Sequence, residues 1–350
     1  MQLVEGVIQH YAWGDLHEIP RLLGHEPDGR PQAELWFGTH PGGPARLADG
    51  RPLEAAAGQL PYLVKILAAA APLSLQVHPS SAQAMQGFVR ENDTGVALDS
   101  PQRTYRDPFH KPELLYALTH FEALCGVAPL HLTDRLLEEL GPAAAPMRAE
   151  LGHGGIDAVI ALLLHDRPSL APLLNAAAHH PDPRCRWLNR LSQLHPGDPA
   201  AAIALLLNYV ALEPGEAIYL GAGNLHAYLG GVGIEVMASS DNVVRCGLTS
   251  KFVDVDEVLR VLDATPLDDP LVHPQANADG GMVYPVPTAD FRLTHYEIDG
   301  SVSFRANGPE LLVCIRGETM ELTRGQCALA TDGEQVELIG TATVCRIGGH

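Results

Sequence analysis

Hydrophobic and polar residues alternate over long stretches at both ends of the chain, which is the pattern of β-strands with one buried face. Up to residue 128, short apolar runs stand between turns rich in glycine and proline, such as Pro41-Gly42-Gly43-Pro44. The alternation is strongest over residues 282–350, where Asp299-Gly300 and Asp332-Gly333 predict turns. These patterns predict a mainly β protein whose carboxyl-terminal part is an antiparallel sandwich or barrel.

Helical periodicity replaces this alternation in the middle of the chain. Leucines recur at helical spacing behind Thr133, a residue type that favours helix starts. The same one-sided spacing predicts further helices over residues 156–164, 186–194, 199–212 and 252–262.

The order of these patterns predicts three domains. Residues 1–128 and 212–265 form a first β domain, a helical domain over residues 129–211 is inserted into it, and residues 266–350 form a second β domain. A chain of 350 residues, 46% of them hydrophobic, is long enough for two or three domains with their own cores.

The chain is strongly acidic. It has 42 acidic and 23 basic side chains and a formal net charge of −19, which disfavours nucleic acids and anionic membranes as partners. An anionic ligand must therefore be held by a local cluster of cations. Lys65, Lys111 and Lys251 are the three lysines of the chain, and each lies in or beside a segment with candidate chemistry.

Cysteine spacing and the length of the apolar runs indicate the compartment. The six cysteines contain no Cys-x-x-Cys pair, and the longest apolar run, residues 200–207, is far shorter than the ~20 residues of a membrane span. The amino terminus has no secretory signal pattern. We expect a cytoplasmic protein without membrane or nucleic-acid partners.

A polar face on an apolar strand is the first candidate site. In a strand, Ser74, Gln76 and His78 point to one side, and the leucines and the valine around them point to the other. Gln76 offers an amide oxygen and His78 an imidazole nitrogen, so both can reach one metal ion. A solvent-facing strand edge is the alternative interpretation.

Two later segments add possible metal ligands. Lys111 and Glu113 share one face of an extended segment and His110 lies on the other; Glu113 offers a carboxylate, although a surface Lys–Glu pair is the more common arrangement. His226 follows a Pro214-Gly215 turn and a Gly-x-Gly turn, a frame typical of strand pairs in a cupin barrel. Such turns can aim the histidine into the barrel.

A cluster of cations provides a candidate phosphate site. Arg245 and Lys251 lie within seven residues of each other, and Asp241 is close enough in sequence to orient an arginine. A guanidinium fork beside an ammonium group suits a phosphate. An exposed polar loop is the alternative interpretation.

Seven motifs follow one another along the chain: Tyr11-Ala12-Trp13-Gly14, Ala33-Glu34-Leu35-Trp36-Phe37-Gly38-Thr39-His40, Pro61-Tyr62-Leu63-Val64-Lys65, Leu75-Gln76-Val77-His78-Pro79, His110-Lys111-Pro112-Glu113, Asn224-Leu225-His226-Ala227-Tyr228 and Ser240-Asp241-Asn242-Val243-Val244-Arg245. In this order they resemble the type I phosphomannose isomerases, zinc-dependent cupin enzymes that interconvert mannose 6-phosphate and fructose 6-phosphate. The resemblance covers nearly the whole chain. It implies a mainly β fold with a cupin (jelly-roll) catalytic domain, an inserted α-helical module and a C-terminal cupin-like β domain.

Site residues are carried over from the family position by position. The family's zinc ligands correspond to Gln76, His78, Glu113 and His226, which implies one Zn²⁺ per chain, and its catalytic arginine corresponds to Arg245. The other matching pocket residues are Trp13, Lys65, Ser74, Lys111, Tyr228, Glu235, Asp241 and Lys251. Ser250 departs from the family, which more often has proline at this position.

The resemblance implies an aldose–ketose isomerase that moves a proton between neighbouring carbons through an enediolate. His110, Lys111 and Glu235 are the candidates for the proton-carrying catalytic residue, because each type can be tuned towards neutral pKa. The alternatives are a cupin oxygenase with iron at the same ligands and a non-catalytic sugar-phosphate-binding cupin. We expect a small sugar phosphate as the partner and a monomer or weak homo-oligomer.

Overall fold

Strands dominate the computed structural model, which describes residues 1–349. In chain order they are β1 (Gln2–Glu5), β2 (Val7–Gln9), β3 (Glu34–Gly38), β4 (Arg46–Leu47), β5 (Tyr62–Ala69), β6 (Leu75–Val77), β7 (Glu113–Ala117), β8 (Phe121–Val127), β9 (Leu207–Leu212), β10 (Ala217–Leu220), β11 (His226–Ala238), β12 (Val244–Gly247), β13 (Gln275–Ala276), β14 (Met282–Tyr284), β15 (Arg292–Arg305), β16 (Glu310–Thr319), β17 (Cys327–Ala330) and β18 (Gln335–Gly348).

The helices are concentrated between β8 and β9. In chain order the α-helices are α1 (Glu18–Leu23), α2 (Leu53–Ala57), α3 (Ser81–Asp93), α4 (Leu130–Glu139), α5 (Ala145–Ala161), α6 (Ala171–Ala177), α7 (Pro183–Leu194) and α8 (Val255–Val261). Short 3₁₀ and π segments occupy Gly141–Ala144, Leu162–Asp166 and Pro199–Leu206. Among residues 1–349, none of the helices has both the length and the apolar character that a membrane crossing requires.

Strand β11 organises the first of two antiparallel sheets. Its second half pairs with β5 and β7, and its first residues pair with β6 and β8. The register sets Glu235 opposite Lys65 and His226 opposite Gln76, while β12 sets Arg245 opposite Gln76 from the other side. Strand pairing therefore brings residues that are far apart in the sequence to one place.

The second sheet has the order β13-β14-β15-β18-β16-β17-β1-β4. Strand β1 pairs antiparallel with β17, so the start of the chain completes a sheet whose other long strands come from its end. The two sheets share a hydrophobic core, in which Val64 and Ile66 belong to the same cluster as Leu311 and Val313. The division into three domains at residues 128, 211 and 265 stays a prediction.

The helix predicted over residues 199–212 is correct only in its first part. Helical turns end at Leu206, and β9 follows and pairs with β8. The Asn208 side-chain amide donates to the carbonyl oxygens of Val127 (3.3 Å) and Leu267 (2.8 Å), which anchors the chain as it enters the strand. Pairing with β8 supplies the backbone hydrogen bonds that a longer helix would otherwise provide.

Helix α3 was not predicted, because residues 1–128 were expected to form strands and turns. The Ser80 hydroxyl accepts a hydrogen bond from the Gln83 backbone at 3.3 Å, and the Gln83 side chain accepts one from the Ser80 backbone at 2.9 Å. This reciprocal pair is a capping box, and its Ser-x-x-Gln signature is visible in the sequence. The predicted helix over residues 252–262 is present as the shorter α8.

Candidate functional site

Three buried side chains converge where β6, β7 and β11 meet. Glu113 begins β7, His226 begins β11, and His78 directly follows β6. His78 Nε2 lies 3.3 Å from Glu113 Oε1, and His226 Nε2 lies 3.6 Å from Glu113 Oε2; all three side chains are at most 1% exposed. Ligand atoms about 2 Å from a tetrahedral ion lie about 3.3 Å from one another, so the spacing suits a single metal ion.

The two histidines turn unprotonated nitrogens towards the carboxylate. His78 Nδ1 lies 2.8 Å from the Asn242 carbonyl oxygen, and His226 Nδ1 lies 2.9 Å from the Asn224 carbonyl oxygen. Because a carbonyl only accepts, each Nδ1 donates, and the Nε2 of each neutral ring keeps a lone pair. Burial lowers the pKa of His226 to about 4, so this ring is neutral at neutral pH.

Hydrogen-bond acceptors therefore face one another in the cluster. Within residues 1–349, His78 Nε2 and Glu113 Oε2 have no hydrogen-bond partner although both atoms are buried. Such acceptors are costly to bury unless a cation lies between them. Imidazole nitrogens and a carboxylate oxygen are common zinc ligands, so this donor set fits the metal that the sequence resemblance implies.

Gln76 stands beside this cluster, opposite His226 in the strand register. Its Nε2 atom lies 3.4 Å from His226 Nε2. The nitrogen and oxygen of a side-chain amide exchange places when the amide flips, so the Gln76 oxygen can occupy the position that faces the cluster. The structure brings the four predicted ligands together, and their assignment as ligands stays a prediction.

A cavity of about 540 Å³ opens in front of the cluster. Gln76 and Glu113 form part of its wall, so the cluster is accessible from the cavity. The other predicted residues that line it are Trp13, Lys65, Ser74, Lys111, Tyr228, Glu235, Asp241, Arg245 and Lys251. Apart from His110, the structure thus gathers all of the predicted site residues in or directly behind one cavity.

Two buried lysines are paired with carboxylates in the cavity wall. The first, Lys65, donates from Nζ to Glu235 Oε2 at 2.7 Å and lies 3.5 Å from Glu34 Oε1. Burial lowers the pKa of Lys65, but Glu235 and Glu34 outweigh it, and the net pKa is raised. Burial raises the pKa of Glu235 despite the adjacent Lys65, which makes this carboxylate more basic than an ordinary glutamate.

The second, Lys111, is bonded to the metal cluster itself. Its Nζ donates to Glu113 Oε1 at 2.6 Å, as their shared strand face predicts. Burial raises the pKa of Glu113, but the adjacent Lys111 ammonium group outweighs it and the net pKa lies well below its usual value. Glu113 is therefore ionised, as a metal ligand must be.

Positive charge is concentrated in one part of the cavity wall. Arg245 on β12 and Lys251 both line it. Burial lowers the pKa of Arg245, and the adjacent Arg106 lowers it further. Burial also lowers the pKa of Lys251, as do the charges of Arg245 and Arg106. These cations repel one another, so the cluster is suited to an anion such as a phosphate.

His110 does not reach this cavity, which corrects its selection as a candidate proton carrier. Lys111 and Glu113 face the cavity, so the alternation of the extended segment turns His110 to the other side. There its Nε2 bonds to Asp290 Oδ2 at 2.8 Å, beside a separate cavity lined by Phe109 and Asp290. The hydrogen bond to Asp290 raises the pKa of His110.

The cavity residues that were not selected from the sequence include Glu34, Trp36, His40 and His195. Glu34 and Trp36 alternate with apolar residues on β3, and the Trp36 indole donates to Glu34 Oε2 at 2.7 Å. A charged residue such as Glu34 on an otherwise apolar strand could have indicated a buried polar site. His195 follows helix α7, and its local sequence gives no sign that it lies beside residues 245–251.

The chain is similar to known proteins in its family pattern, its sequence and its structure. A model described as phosphomannose isomerase type I, catalytic domain, matches residues 50–130. The chain is 32% identical to mannose-6-phosphate isomerase of Escherichia coli (strain K12), over 100% of this chain and 97% of the relative. It is 30% identical to mannose-6-phosphate isomerase of Homo sapiens, over 90% and 87%.

One similar solved structure is mannose 6-phosphate isomerase from Salmonella typhimurium, bound to its substrate fructose 6-phosphate and a zinc atom. It has a TM-score of 0.92 and 32% sequence identity, and the match covers 100% of this chain and 99% of that chain. This likeness confirms the predicted mainly β, cupin-type fold. Because the identity extends over essentially the whole length of both chains, the protein belongs to the type I phosphomannose isomerase family.

Proposed function

We propose that the protein interconverts mannose 6-phosphate and fructose 6-phosphate with one zinc ion held by Gln76, His78, Glu113 and His226. One observation carries the proposal: two neutral imidazole nitrogens and an ionised carboxylate face one another in the wall of a cavity that also holds Arg245 and Lys251. The relatives named above are isomerases by name, which favours this function over the oxygenase and the non-catalytic alternatives.

Arg245 and Lys251 bind the phosphate of the sugar. A guanidinium fork and an ammonium group together neutralise a dianion, and a phosphate fixed in this way orients the distant reacting carbons. When bound, the zinc ion supplies positive charge that polarises the substrate's carbonyl oxygen and stabilises negative charge developing there. Asp241 also lines the cavity, 3.5 Å from His40 Nε2, where its carboxylate can accept from a sugar hydroxyl.

Glu235 is the residue best placed to carry the proton. It lines the cavity, and Lys65 holds one of its two carboxylate oxygens, which leaves the other for substrate. Glu235 removes the proton from the carbon next to the carbonyl, which forms an enediolate, and returns it to the neighbouring carbon. A hydroxyl proton moves to the former carbonyl oxygen, so the product is an isomer. Its raised pKa improves Glu235 as a base.

Lys111 is the second candidate from the sequence, but its ammonium group is engaged by Glu113. We assign it to holding the ligand Glu113 in place. A cytoplasmic location and a monomeric or weakly associating state stay predictions, which cell fractionation and sedimentation would test.

The reaction can be tested by nuclear magnetic resonance of mannose 6-phosphate with the purified, zinc-loaded protein. We expect fructose 6-phosphate to accumulate to equilibrium, and in D₂O solvent deuterium should enter at C1 of the product, the carbon that receives the proton. A folded, zinc-loaded sample that binds the sugar phosphate without converting it would overturn the proposal in favour of a binding protein. Oxygen consumption with iron would favour the oxygenase.

A further inference from the structure

The helical segment between β8 and β9 contributes a side chain to the active-site cavity. His195 follows helix α7 and lines the same cavity as Thr249, Ser250 and Lys251. Its backbone is fixed on both sides, since its N–H donates to the Leu191 carbonyl at 2.8 Å and its own carbonyl accepts from the Asp198 N–H at 3.1 Å. The partly buried imidazole is thus held in the cavity wall that carries the cations.

Asp198, three residues further on, ties the helical segment to the cation-bearing turn. Its Oδ1 accepts from the Ala200 backbone N–H at 3.0 Å, and its Oδ2 accepts from the Leu248 backbone N–H at 2.7 Å. Leu248 lies between Arg245 and Lys251. One carboxylate therefore joins the start of a helical turn to the loop that connects the two cations.

The backbone of this loop adopts an unfavourable conformation that neighbouring contacts must stabilise. Leu248 adopts a left-handed conformation with φ of +55°, which is uncommon for a residue with a branched side chain. Gly247 packs so closely against the helical segment that a Cβ on it would lie 2.2 Å from the Ala200 Cβ. The mutual repulsion of Arg245 and Lys251 is a further cost that contacts to this loop must offset.

We infer that the helical segment is part of the phosphate-binding site: Asp198 is a positioning residue that holds the loop between Arg245 and Lys251, and His195 is a further ligand of the substrate phosphate. The inference rests on the proposed function and extends it, because it gives the inserted helices a role in substrate recognition. His195 adds a hydrogen-bond donor where the two cations meet the anion, and Asp198 acts without touching substrate.

The test compares Asp198→Asn, His195→Gln and the control Asp182→Asn as zinc-loaded proteins. Asp182 accepts from the Arg184 backbone at 2.8 Å at the start of α7 and also pairs with the Arg184 guanidinium at 2.7 Å, so it is a capping aspartate of the same segment that does not line the cavity. Titration calorimetry with fructose 6-phosphate and with inorganic phosphate measures affinity independently of turnover, and steady-state kinetics give KM and kcat separately.

We expect Asp198→Asn to weaken the binding of both ligands about tenfold, because an amide presents an N–H to one of the two backbone donors. His195→Gln should weaken it about fivefold, because a neutral amide can still donate to the phosphate but cannot take up a proton and become a cation as an imidazole can. In both variants KM should rise while kcat changes little, and Asp182→Asn should bind as the wild type does. A wild-type protein that binds fructose 6-phosphate without converting it would overturn the proposed function but not this inference.

Wild-type affinity in Asp198→Asn would overturn the positioning role, and wild-type affinity in His195→Gln would overturn the role of the imidazole. His195 lies on the cavity wall with partial exposure, so its variant keeps the inference testable if Asp198→Asn fails to fold. An equal loss of ligand affinity in Asp182→Asn would also contradict the inference. It would show that substitutions in the helical segment weaken binding only by destabilising that segment.

Discussion

The Glu113 carboxylate faces the Nε2 atom of His226 at 3.6 Å, although both groups accept hydrogen bonds and neither has a hydrogen to give. Backbone carbonyls cause this arrangement by holding the Nδ1–H of both His226 and His78. A cation between the acceptors resolves the conflict. The chain's own hydrogen bonds thus prepare the cluster for a metal.

Removing one of these ligands should remove the metal. Glu113→Gln and His226→Ala should lower zinc affinity by more than the roughly 10–100-fold that loss of an outer partner costs, and activity should fall in parallel. Zinc content after dialysis against a weak chelator measures the effect, and His110→Gln is the matched control. Full retention of zinc by both variants would defeat the ligand assignment.

Replacing Arg245 should separate turnover from metal binding. Arg245→Ala should lower kcat/KM at least about a hundredfold, the cost typical of losing a preorganised charged donor, while zinc content stays at one ion per chain. Metal analysis and kinetics on the same sample decide the point. If zinc is lost along with activity, Arg245 is a structural residue of the cluster.

Lys65 should be needed for stability as well as for catalysis. Lys65→Met leaves Glu235 and Glu34 buried without their cation, and breaking a buried pair in this way costs about 3–5 kcal/mol of unfolding free energy. Thermal melting measures the loss. The double variant Lys65→Met/Glu235→Met removes both charges and should recover part of it; a double variant that is less stable than the single one would contradict the pairing.

The pair of His110 and Asp290 should stabilise the fold mainly at mildly acidic pH. Their hydrogen bond raises the pKa of His110 above 6.5 in the folded protein. The pair therefore contributes fully to the free energy of unfolding below pH 6.5, and this contribution is lost as the pH rises through the higher folded-state pKa. The same bond lowers the pKa of Asp290 below 3.8, so the contribution also falls at strongly acidic pH.

His110→Gln should therefore lower the melting temperature more at pH 5.5 than at pH 9. Its kcat should stay within about twofold of wild type, because a surface substitution away from the site has little effect. His120→Gln, which removes an exposed histidine near Glu213, is the control and should show little change at either pH. A large loss of kcat in His110→Gln would return this residue to the list of proton carriers.

Strand alternation was enough to predict several parts of the site. Period-two spacing set Gln76 apart from the buried Leu75 and Val77 on β6, and it set Lys111 and Glu113 apart from His110; it failed at Leu73, which precedes the strand and lines the cavity together with Ser74. The same alternation could have revealed Glu34, a charged residue on an apolar strand. These strands meet at one cavity because of pairings such as that of Glu235 with Lys65. Pairing partners leave no local signal in the sequence, so only the resemblance to a known family could predict which strands meet.

Other parts of the fold had no adequate local signal. Residues 199–212 are mostly apolar, which fits helix and strand equally, and tertiary pairing with β8 decided the outcome for residues 207–212. His195 lies next to ordinary helix-ending residues, and its place in the cavity results from the packing of Ala200 against Gly247. The pairing of β1 with β17 joins opposite ends of the chain.

The most direct test of the account is the dependence of isomerisation on the metal. The purified protein should be assayed for conversion of mannose 6-phosphate to fructose 6-phosphate before chelation, after chelation and after zinc is restored, with metal content measured each time. We expect activity to disappear with the zinc and to return when one ion per chain is bound. Full activity in a sample free of metal would contradict this expectation.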